Sequence, residues 1–356
     1  MKANLIGGKT VVVTGGTGSL GKVLVRRLLA GEIGTPERIV VFSRDEAKQH
    51  AMRLAYQNKG AATDEVIYDN FNRLIQFWIG DVRDYHSVCA ALRRTDVVFN
   101  AAAIKQVPTC EYFPYEAVRT NIEGPENIVR AIRENNLPVQ TVVGVSTDKA
   151  CKPVNVMGMT KAIQERIFLS ANLSCPGTRF VAVRYGNVLA SRGSVIPLFH
   201  EQIRKGGPVT ITTSGMSRFL LSLDQAVDTI FAALEGGLPG EIFIPRVPSA
   251  LMTDVAAALI EDRPIQVKET GIRPGEKVHE ILVSEEEAHR TVQGERFHVI
   301  RPILPELCRD ERRGELLGRE YSSADNLMSR PELVDELKRN RLMVGNDSII
   351  EELAQA

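Results

Sequence analysis

Short apolar runs rich in β-branched residues alternate with amphipathic stretches through the first half of the chain. Strands are predicted at residues 10–14, 38–42, 74–79, 96–100, 141–145 and 179–184. Helices are predicted at residues 20–29, 122–135 and 160–171, where apolar positions recur at helical spacing. Continuous runs such as Val-Val-Val at 11–13 are typical of strands buried on both faces. Because strands and helices alternate, we expect an α/β fold with a doubly wound parallel sheet.

The regular alternation ends after residue 187. Glycines and prolines between Gly193 and Pro248 then divide the chain into short elements, which predicts a smaller C-terminal lobe. The predicted boundaries are 1–188 for the larger domain, completed by about 222–246, and 189–221 with 247–305 for the smaller lobe. Residues 306–356 are predicted to be an extension that is solvated from Arg309 onward, with a last helix near 331–341.

The composition excludes several classes of protein. The 356 residues include 44 basic and 44 acidic side chains, so no net charge attracts nucleic acid or an anionic membrane. Five scattered cysteines without a C-x-x-C pair indicate reduced thiols in a cytoplasmic protein and argue against a zinc site. The six histidines form no H-E-x-x-H motif, and we expect no metal. Without a signal-peptide pattern or an apolar run of ~20 residues, the chain is predicted to be soluble, with no membrane insertion.

A glycine-rich turn lies between the first predicted strand and the first predicted helix. Its sequence is T-G-G-T-G-S-L-G at residues 14–21, with glycines spaced G-x-x-G-x-x-G. Glycines there let the backbone turn tightly and approach a pyrophosphate bound at the helix N-terminus. This context predicts a Rossmann-like dinucleotide-binding domain, whose turn residues are Gly15, Thr17, Gly18, Ser19, Leu20 and Gly21.

The end of the second strand indicates which dinucleotide is bound. NAD-binding proteins usually place Asp or Glu there for the ribose 2′-hydroxyl, whereas this chain has Ser43 and Arg44, followed by Asp45 and Lys48. A hydroxyl and a guanidinium suit a 2′-phosphate, so we predict NADP over NAD. The alternative is that Arg44 is a solvated loop charge paired with Asp45.

Further positions near strand ends are assigned to the same cofactor. Asp81 and Val82 follow the third strand and are placed to cap the adenine; the alternative for Asp81 is a helix N-cap. Ala101 and Ala103 supply small side chains where the backbone must pass close to the cofactor. Val188, beyond the sixth strand, is included in the same site.

Three chemically different side chains follow the fifth predicted strand in succession. Thr147, Asp148 and Lys149 supply a hydroxyl, a carboxylate and an amine. Beside a dinucleotide site, such a segment suggests an enzyme that oxidises a sugar alcohol and then eliminates water from the product. The alternative is a surface ion pair between Asp148 and Lys149 in a loop.

Several motifs together resemble a known family. They are T-G-G-T-G-S-L-G, A-A-A-I-K-Q-V-P at 101–108, S-T-D-K-A at 146–150, R-Y-G-N-V at 184–188, M-S-R-F at 216–219 and I-R-P-G-E-K-x-H-E at 272–280. Over about residues 8–302 the chain resembles the extended short-chain dehydrogenase/reductases. Within them it resembles the inverting UDP-N-acetylglucosamine 4,6-dehydratases of pseudaminic-acid and capsule biosynthesis. The resemblance implies a homo-oligomer with tightly bound, recycled NADP that acts on UDP-N-acetylglucosamine or a close UDP-sugar.

The resemblance also implies a series of chemical steps. Hydride leaves sugar C4, the C5 proton and the C6 hydroxyl are lost as water, and hydride returns to C6. Thr147 is then expected near O4, Asp148 is the acid at O6, and Lys149 is the base at C5, where related enzymes have Glu. A lysine can act as this base if desolvation and a neighbouring cation lower its pKa.

One position departs from the superfamily pattern Y-x-x-x-K. Lys161 is present, and the resemblance implies that it holds the nicotinamide ribose, but Met157 occupies the tyrosine position and cannot accept a proton. A capsule-type branch of these dehydratases is similar in carrying M-G-x-x-K. Lys149, acting through Thr147 or water, is therefore the predicted base for C4 oxidation. The alternatives are a retaining UDP-sugar dehydratase, a UDP-sugar 4-epimerase and a non-catalytic NADP-binding protein.

Substrate binding is assigned to residues in the later motifs. Lys105 is expected near the sugar. Arg218 and Arg273 are the predicted diphosphate ligands, because guanidinium forks match phosphate oxygens. The remaining assignments to the UDP moiety and to the lobe that closes on it are Asn187, Glu276, Arg184 and Arg192.

Overall fold

The computed structural model describes residues 4–57, 71, 73–189, 194–308 and 312–345. Its strands are β1 Thr10–Thr14, β2 Arg38–Ser43, β3 Ile75–Ile79, β4 Val97–Asn100, β5 Thr141–Thr147, β6 Arg179–Tyr185, β7 Val209–Ile211, β8 Ser217–Phe219, β9 Ile242–Pro245, β10 Ser249–Leu251, β11 Val267–Glu269, β12 Ile281–Val283, β13 Thr291–Val292, β14 Phe297–Ile300 and β15 Tyr321–Ser322. Its α-helices are α1 Ser19–Leu29, α2 Glu46–Gln57, α3 Tyr85–Leu92, α4 Val107–Tyr112, α5 Pro114–Val118, α6 Gly124–Asn135, α7 Val156–Ser174, α8 Val195–Arg204, α9 Leu223–Gly236, α10 Met252–Ile260, α11 Glu285–Ala288 and α12 Arg330–Arg339.

A nine-stranded sheet in the order β13-β14-β9-β6-β5-β4-β1-β2-β3 forms the centre of the molecule. From β3 to β9 all neighbouring strands pair in parallel. Val11 and Val13 pack with residues of α1 and α9, whereas Val12 packs with residues of α3, α6 and α7 on the other face. Both faces of β1 are therefore buried, which explains its continuous apolar sequence. The predicted doubly wound, Rossmann-like fold is confirmed.

The order of the strands reverses between β1 and β4. From β1 the chain proceeds to β2 and β3 on one side, and from β4 to β5 and β6 on the other. In open α/β sheets the connections diverge at such a switch point and leave a crevice at the carboxyl ends of the strands. Gly15 and Ala101 directly follow these two strand ends.

The main sheet extends further than the sequence pattern predicted. Strand β14 pairs antiparallel with β9, and β13 pairs antiparallel with β14. Both strands come from residues 247–305, which the sequence analysis assigned to the smaller lobe. That segment therefore contributes both to the lobe and to one edge of the central sheet.

The C-terminal extension is packed against the smaller lobe. Leu333 and Leu337 of α12 are fully buried, and Leu342 and Met343 follow them into the same apolar cluster. The cluster also contains buried residues of α8 and α10. The expectation of a solvated tail is therefore wrong for this part of the chain, although the last helix lies near its predicted position.

Candidate functional site

The switch point is shaped for a ligand that approaches the backbone closely. Gly15 has φ of 65°, and a Cβ on it would lie 2.8 Å from the Cα of Ala102. The Thr14 hydroxyl donates to Asn100 Oδ1 at 2.7 Å and accepts the Ala102 N–H at 3.2 Å. These bonds join the carboxyl ends of β1 and β4, so that the crevice has a floor of backbone and small side chains. Ala101 is part of that floor.

The N-terminus of α1 opens into the same crevice. Gly18 precedes Ser19 in an extended conformation, and no described side chain caps the first turn. Its N–H groups can therefore bind phosphate oxygens. Thr17 Oγ1 lies 3.0 Å from Ser43 Oγ, which places the end of β2 beside this turn. The predicted turn residues, with half-buried Leu20 and buried Gly21 inside the helix, fit a dinucleotide pyrophosphate.

Arg44 lies at the edge of this crevice and has a different partner from the one considered. Its side chain is 56% exposed, and the guanidinium lies 3.7 Å from Asp81 Oδ2. Asp45 instead accepts the Lys48 N–H at 3.0 Å at the start of α2. Asp81 receives two hydrogen bonds from the Arg83 guanidinium, at 2.6 and 2.9 Å. Burial opposes ionisation of Asp81, but Arg83 holds the pKa of that carboxyl below its usual value.

Other predicted cofactor positions have mixed surroundings. The alternative that Asp81 is a helix N-cap is wrong, because Asp84 caps α3 by accepting the His86 N–H. Val82 is buried in the core. Ala103 is exposed beyond β4, and Val188 forms a β-bridge with Leu221. The cofactor contacts of these residues stay predictions.

The end of β5 brings together the three predicted proton-carrying groups. Thr147 Oγ1 donates to Asp148 Oδ1 at 2.8 Å, and Lys149 Nζ donates to the same oxygen at 3.1 Å. Nζ also donates to Asn187 Oδ1 at 3.2 Å, just beyond β6. Asp148 is fully buried, whereas the Lys149 side chain is 23% exposed. The alternative of a surface ion pair in a loop is therefore wrong.

A second carboxylate, Glu280, completes this cluster and was missed in the sequence analysis. Its Oε1 atom lies 3.3 Å from Lys149 Nζ and 3.7 Å from Arg218 Nε. Glu280 is buried immediately before β12. The sequence did offer a signal for this residue: Glu280 is the carboxylate at the end of the I-R-P-G-E-K-x-H-E motif and directly precedes an apolar strand.

The surroundings of Lys149 raise its pKa. Burial alone would lower the pKa of the ammonium, and Arg218 acts in the same direction, but the carboxylates of Asp148 and Glu280 outweigh both. The expectation that desolvation and a neighbouring cation lower this pKa is therefore wrong. In the free protein Lys149 is a cation, and it must pass on a proton before it can act as a base.

Lys161 of α7 is buried behind the end of β5. Its Nζ donates to the carbonyl oxygen of Val145 and to Gln164 Oε1, both at 2.6 Å. Desolvation lowers the pKa of Lys161 to about 7, although the nearby Glu165 opposes the shift. Lys161 can therefore gain or lose a proton near neutral pH. Its contact with a nicotinamide ribose stays a prediction.

Met157 lies in a small apolar cluster at the start of α7. It is buried with Cys110 and Ala117, so the position that the sequence analysis compared with the superfamily tyrosine is packed like a core position. The next residue, Gly158, approaches the active segment: a Cβ on it would lie 2.2 Å from the carbonyl oxygen of Lys149. Met157 therefore fills an apolar space, and the absence of a side chain at Gly158 allows α7 to pack closely against residues 147–149.

Replacing Met157 by Tyr is expected to destabilise the protein and to slow the oxidation at C4 that the resemblance implies. A phenol is larger than the thioether that Cys110 and Ala117 enclose, and such overpacking costs about 1–3 kcal/mol. Urea unfolding measures the cost, and Met159→Tyr, at a position 48% exposed in the same helix, is the control. A variant as stable as the wild type and faster in C4 oxidation would show that the pocket still accepts a tyrosine.

Arg184 has a structural role: its bonds reach the lobe, as one part of its assignment predicted, and leave no N–H group for UDP. The side chain is buried, and its guanidinium donates to both carboxyl oxygens of Glu165 at 2.7 and 3.0 Å. It also donates to both carboxyl oxygens of Glu287 at 2.6 and 2.9 Å, and to the carbonyl oxygen of Leu282. These bonds connect β6, α7 and the lobe segment around β12, and they occupy all five N–H groups of the guanidinium.

The two predicted diphosphate ligands differ in their surroundings. Arg218 is buried, and its terminal nitrogens donate to the carbonyl oxygens of Ser217, Lys277 and Val278. Arg273 is 65% exposed and lies 4.0 Å from Glu276. Most of the hydrogen-bonding capacity of Arg218 is thus used within the protein, whereas Arg273 can reach a ligand. Both roles stay predictions.

The remaining substrate assignments lie on different segments. Glu276 is half-buried and accepts a hydrogen bond from Thr212 at 3.5 Å, which joins its loop to the end of β7. Lys105 is exposed beyond β4. Asn187 is the one that contacts the Lys149 cluster. Arg192 lies outside the described residues.

Metal clusters and membrane-spanning helices are absent from the described part of the chain. No group of three or more His, Cys, Asp or Glu side chains among the described residues is arranged to hold a metal ion. Within the same ranges, no helix is both long and apolar enough to cross a bilayer.

Solved structures with the same fold include enzymes of sugar-nucleotide metabolism. Pen from Bacillus thuringiensis is 34% identical, with a TM-score of 0.83, over 95% of this chain and 99% of that one. DesIV from Streptomyces venezuelae, a dTDP-glucose 4,6-dehydratase solved with NAD, has a TM-score of 0.63 at 22% identity. The match covers 76% of this chain and 86% of that one, and it supports the fold alone.

Curated relatives carry two different enzyme names. A protein of Rickettsia conorii named UDP-glucose 4-epimerase is 45% identical over 78% of this chain and 79% of its own. An inverting UDP-N-acetylglucosamine 4,6-dehydratase of Campylobacter jejuni is 40% identical over 85% of both chains. The profile of the polysaccharide biosynthesis protein family matches residues 11–302. The chain therefore belongs to the polysaccharide biosynthesis protein family, with the Rossmann-like fold of the short-chain dehydrogenase/reductases.

Proposed function

We propose that the protein is an NADP-dependent, C5-inverting UDP-N-acetylglucosamine 4,6-dehydratase, a lyase. The product would be a UDP-2-acetamido-2,6-dideoxy-hexos-4-ulose for a surface glycan or a nonulosonic acid. The proposal rests on one observation. Thr147, Asp148 and Lys149 share hydrogen bonds at the carboxyl end of β5. In the central sheet β5 lies next to β4, which forms the proposed dinucleotide crevice together with β1. The Campylobacter dehydratase is consistent with it.

A single proton transfer within this cluster prepares both an acid and a base. Lys149 Nζ lies 3.1 Å from Asp148 Oδ1, so an N–H bond can break as an O–H bond forms on the carboxylate. The neutral amine then removes the C5 proton, while Asp148 protonates the departing C6 hydroxyl to give water. This elimination returns Lys149 and Asp148 to their initial ion pair. The proton released from O4 in the oxidation at C4 passes to solvent, and C5 takes up a solvent proton when hydride returns to C6, so the complete sequence also balances. Thr147, bonded to the same Asp148 oxygen, is placed to orient O4.

The crevice residues support a dinucleotide as the redox partner of this site. The turn at Gly15, the open N-terminus of α1 and Lys161 would hold the pyrophosphate and the nicotinamide ribose. Bound there, the nicotinamide would supply reversible hydride transfer at C4 and C6. We propose that the cofactor is tightly bound and recycled, because the product has the same overall oxidation state as the substrate.

Replacing Arg44 by Ala should weaken NADP binding far more than NAD binding. Loss of a charge-assisted bond to a 2′-phosphate costs roughly 1.5–3 kcal/mol, and the exposed Arg44 side chain at the end of β2 can turn toward such a group. Calorimetry with both dinucleotides measures the difference, and Arg53→Ala, in the exposed part of α2, is the control. Equal losses for NADP and NAD, or NAD(H) released from the denatured wild type, would contradict the choice of NADP.

A UDP-sugar 4-epimerase is the second candidate, because the Rickettsia relatives carry that name. Epimerisation needs reversible oxidation at C4 but no acid and base at C5 and C6. The buried Asp148–Lys149 pair therefore favours the dehydratase. Two further candidates are a retaining dehydratase and, because of Met157, a non-catalytic NADP-binding protein.

Mass spectrometry of the product distinguishes the dehydratases from the other functions. The purified protein is incubated with UDP-N-acetylglucosamine, and the proposed dehydratase gives a product lighter by one water molecule. An epimerase and a non-catalytic protein both leave the mass unchanged, and nuclear magnetic resonance separates inversion at C4 from no reaction. Nuclear magnetic resonance of the keto sugar then assigns the configuration at C5. On the family resemblance, we further propose a cytoplasmic homo-oligomer.

A further inference from the structure

Glu280 is the second carboxylate in contact with the Lys149 ammonium. The lysine Nζ lies 3.1 Å from Asp148 Oδ1, 3.2 Å from Asn187 Oδ1 and 3.3 Å from Glu280 Oε1. An ammonium group has three N–H bonds; Lys149 donates to Asp148 and to Asn187, and Glu280 Oε1 pairs with the same charge as an ion pair. Glu280 is the one partner that comes from the lobe, because the other two follow β5 and β6.

The C-terminal extension fixes the position of Glu280. The Glu280 N–H donates to Ser323 Oγ at 2.9 Å, and the Ser323 N–H donates to the Glu280 carbonyl oxygen at 2.8 Å. Ser323 Oγ also lies 2.7 Å from Ser217 Oγ, next to Arg218. Strands β12 and β15 pair directly beside these bonds. The backbone of Glu280 is therefore held by segments that are distant in sequence.

The charges around Lys149 balance only when Glu280 is included. Asp148 and Glu280 supply two negative charges, and Lys149 and Arg218 supply two positive charges. One carboxyl oxygen of each acid, Asp148 Oδ2 and Glu280 Oε2, is buried without a hydrogen-bond partner among the described residues. Buried polar atoms are usually satisfied, so unpaired oxygens here indicate groups that are kept for a ligand or for a proton. Packing alone does not explain why a carboxylate occupies this position.

We propose that Glu280 is a positioning residue of the active site, which holds the Lys149 amine toward the sugar and controls when its proton is lost. The inference rests on the proposed function. Glu280 does not itself exchange a proton in the reaction. Its negative charge keeps one proton shared between Lys149 and Asp148, and this shared proton is the one that the elimination uses. The site is inactive once that proton has been lost to solvent.

This role predicts a specific change in the pH profile. Asp148 and Glu280 favour the ammonium form of Lys149, Arg218 opposes it, and Asn187 is neutral. Removal of one carboxylate therefore makes the shared proton easier to lose as the pH rises. In Glu280→Gln the alkaline limb of kcat should move to lower pH by about 1 to 3 pH units, the usual effect of one close charge. The KM for the UDP-sugar and the retention of cofactor should change little.

Two measurements on the purified full-length protein test the proposal. The first is kcat and KM for UDP-N-acetylglucosamine against pH in the wild type, Glu280→Gln and Glu280→Asp, with Glu285→Gln as the exposed control in the same lobe. The second is the rate at which acetic anhydride modifies Lys149 against pH, read by peptide mass spectrometry with Lys152 as the reference. The acetylation rate follows the amine form and needs no substrate. Glu280→Asp keeps the charge and should restore most of the wild-type profile.

The outcomes separate this inference from the proposed function. If the wild type makes no dehydrated product, the proposed function fails, and the acetylation profiles still decide whether Glu280 controls the proton on Lys149. An alkaline limb and an acetylation profile that do not move in Glu280→Gln overturn the inference. Loss of folding in Glu280→Gln and in Glu280→Asp alike also overturns it, because the carboxylate would then serve packing only.

Discussion

Replacing Lys149 by Met is expected to lower the rate of dehydration by about 10²- to 10⁴-fold, the usual contribution of a general acid–base group. In the proposed mechanism this side chain, 3.1 Å from Asp148 Oδ1, both gives a proton to Asp148 and takes one from C5. Methionine has a similar length but exchanges no proton. The free energy of unfolding should also fall, because Asp148 and Glu280 lose a shared cation, while the fold and dinucleotide binding persist.

Incubation in deuterated water tests the role of Lys149 directly. The wild type should place solvent deuterium at C5 of the product, and the variant should form neither product nor labelled substrate at a comparable rate. Lys152→Met, which removes an exposed lysine with partners on the surface, is the matched control. If Lys149→Met turns over with normal labelling at C5, another group is the base.

Replacing Arg184 by Met should destabilise the protein by about 3–5 kcal/mol, the cost of breaking a buried ion pair from one side. Glu165 and Glu287 would remain buried with their main cation removed. Urea unfolding measures the change in the free energy of unfolding, with the same dependence on urea concentration used for both proteins. Arg26→Met is the control, since its ion pair with Asp224 is exposed and worth at most about 1 kcal/mol.

The pH dependence of stability distinguishes lost charge pairing from lost packing. Burial alone would raise the pKa of Glu287, but Arg184 lowers it to about 2. In the wild type this carboxylate therefore stabilises the fold above its unfolded pKa, and that contribution is lost as the pH falls toward 2. In Arg184→Met the pKa values of Glu165 and Glu287 should be raised. Acidification should therefore reduce the difference in the free energy of unfolding between the variant and the wild type. A loss of unfolding free energy that is the same at pH 4 and pH 7, within about 0.5 kcal/mol, would point to packing alone.

Combining Arg184→Met with Glu165→Gln and Glu287→Gln should restore part of the stability.

The central sheet could be predicted from sequence because its strands are buried on both faces. Burial of this kind produces continuous β-branched runs, and β1, β4 and β6 lie within a residue of their predicted limits. The helix predicted at 160–171 is longer, Val156–Ser174, because Asn155 Oδ1 accepts the Gly158 N–H and begins the helix one turn earlier. The sequence around that cap has no apolar periodicity, so the first turn was not recognised.

Contacts between residues that are distant in sequence could not be predicted from the sequence. Lys149 was expected to have a lowered pKa, because neither the place of Glu280 nor the burial of Asp148 follows from local pattern. Arg184 was assigned to a ligand for the same reason: its two carboxylate partners come from α7 and α11. Residue types and strand ends located the site, whereas its electrostatics depended on tertiary structure.

The pairing of Glu280 with Ser323 imposes an order on assembly during protein synthesis. Chains emerge from the ribosome from the N-terminus at about 5–20 residues per second. The crevice between β1 and β4 needs no residue of the C-terminal extension, whereas the bonds of Glu280 and Ser217 with Ser323 can form only after residue 323 has been synthesised. Until then β12 has an unpaired edge, which is a site for association with other chains. The crevice can therefore form before Glu280, the partner of Lys149 that comes from the lobe, is held in place.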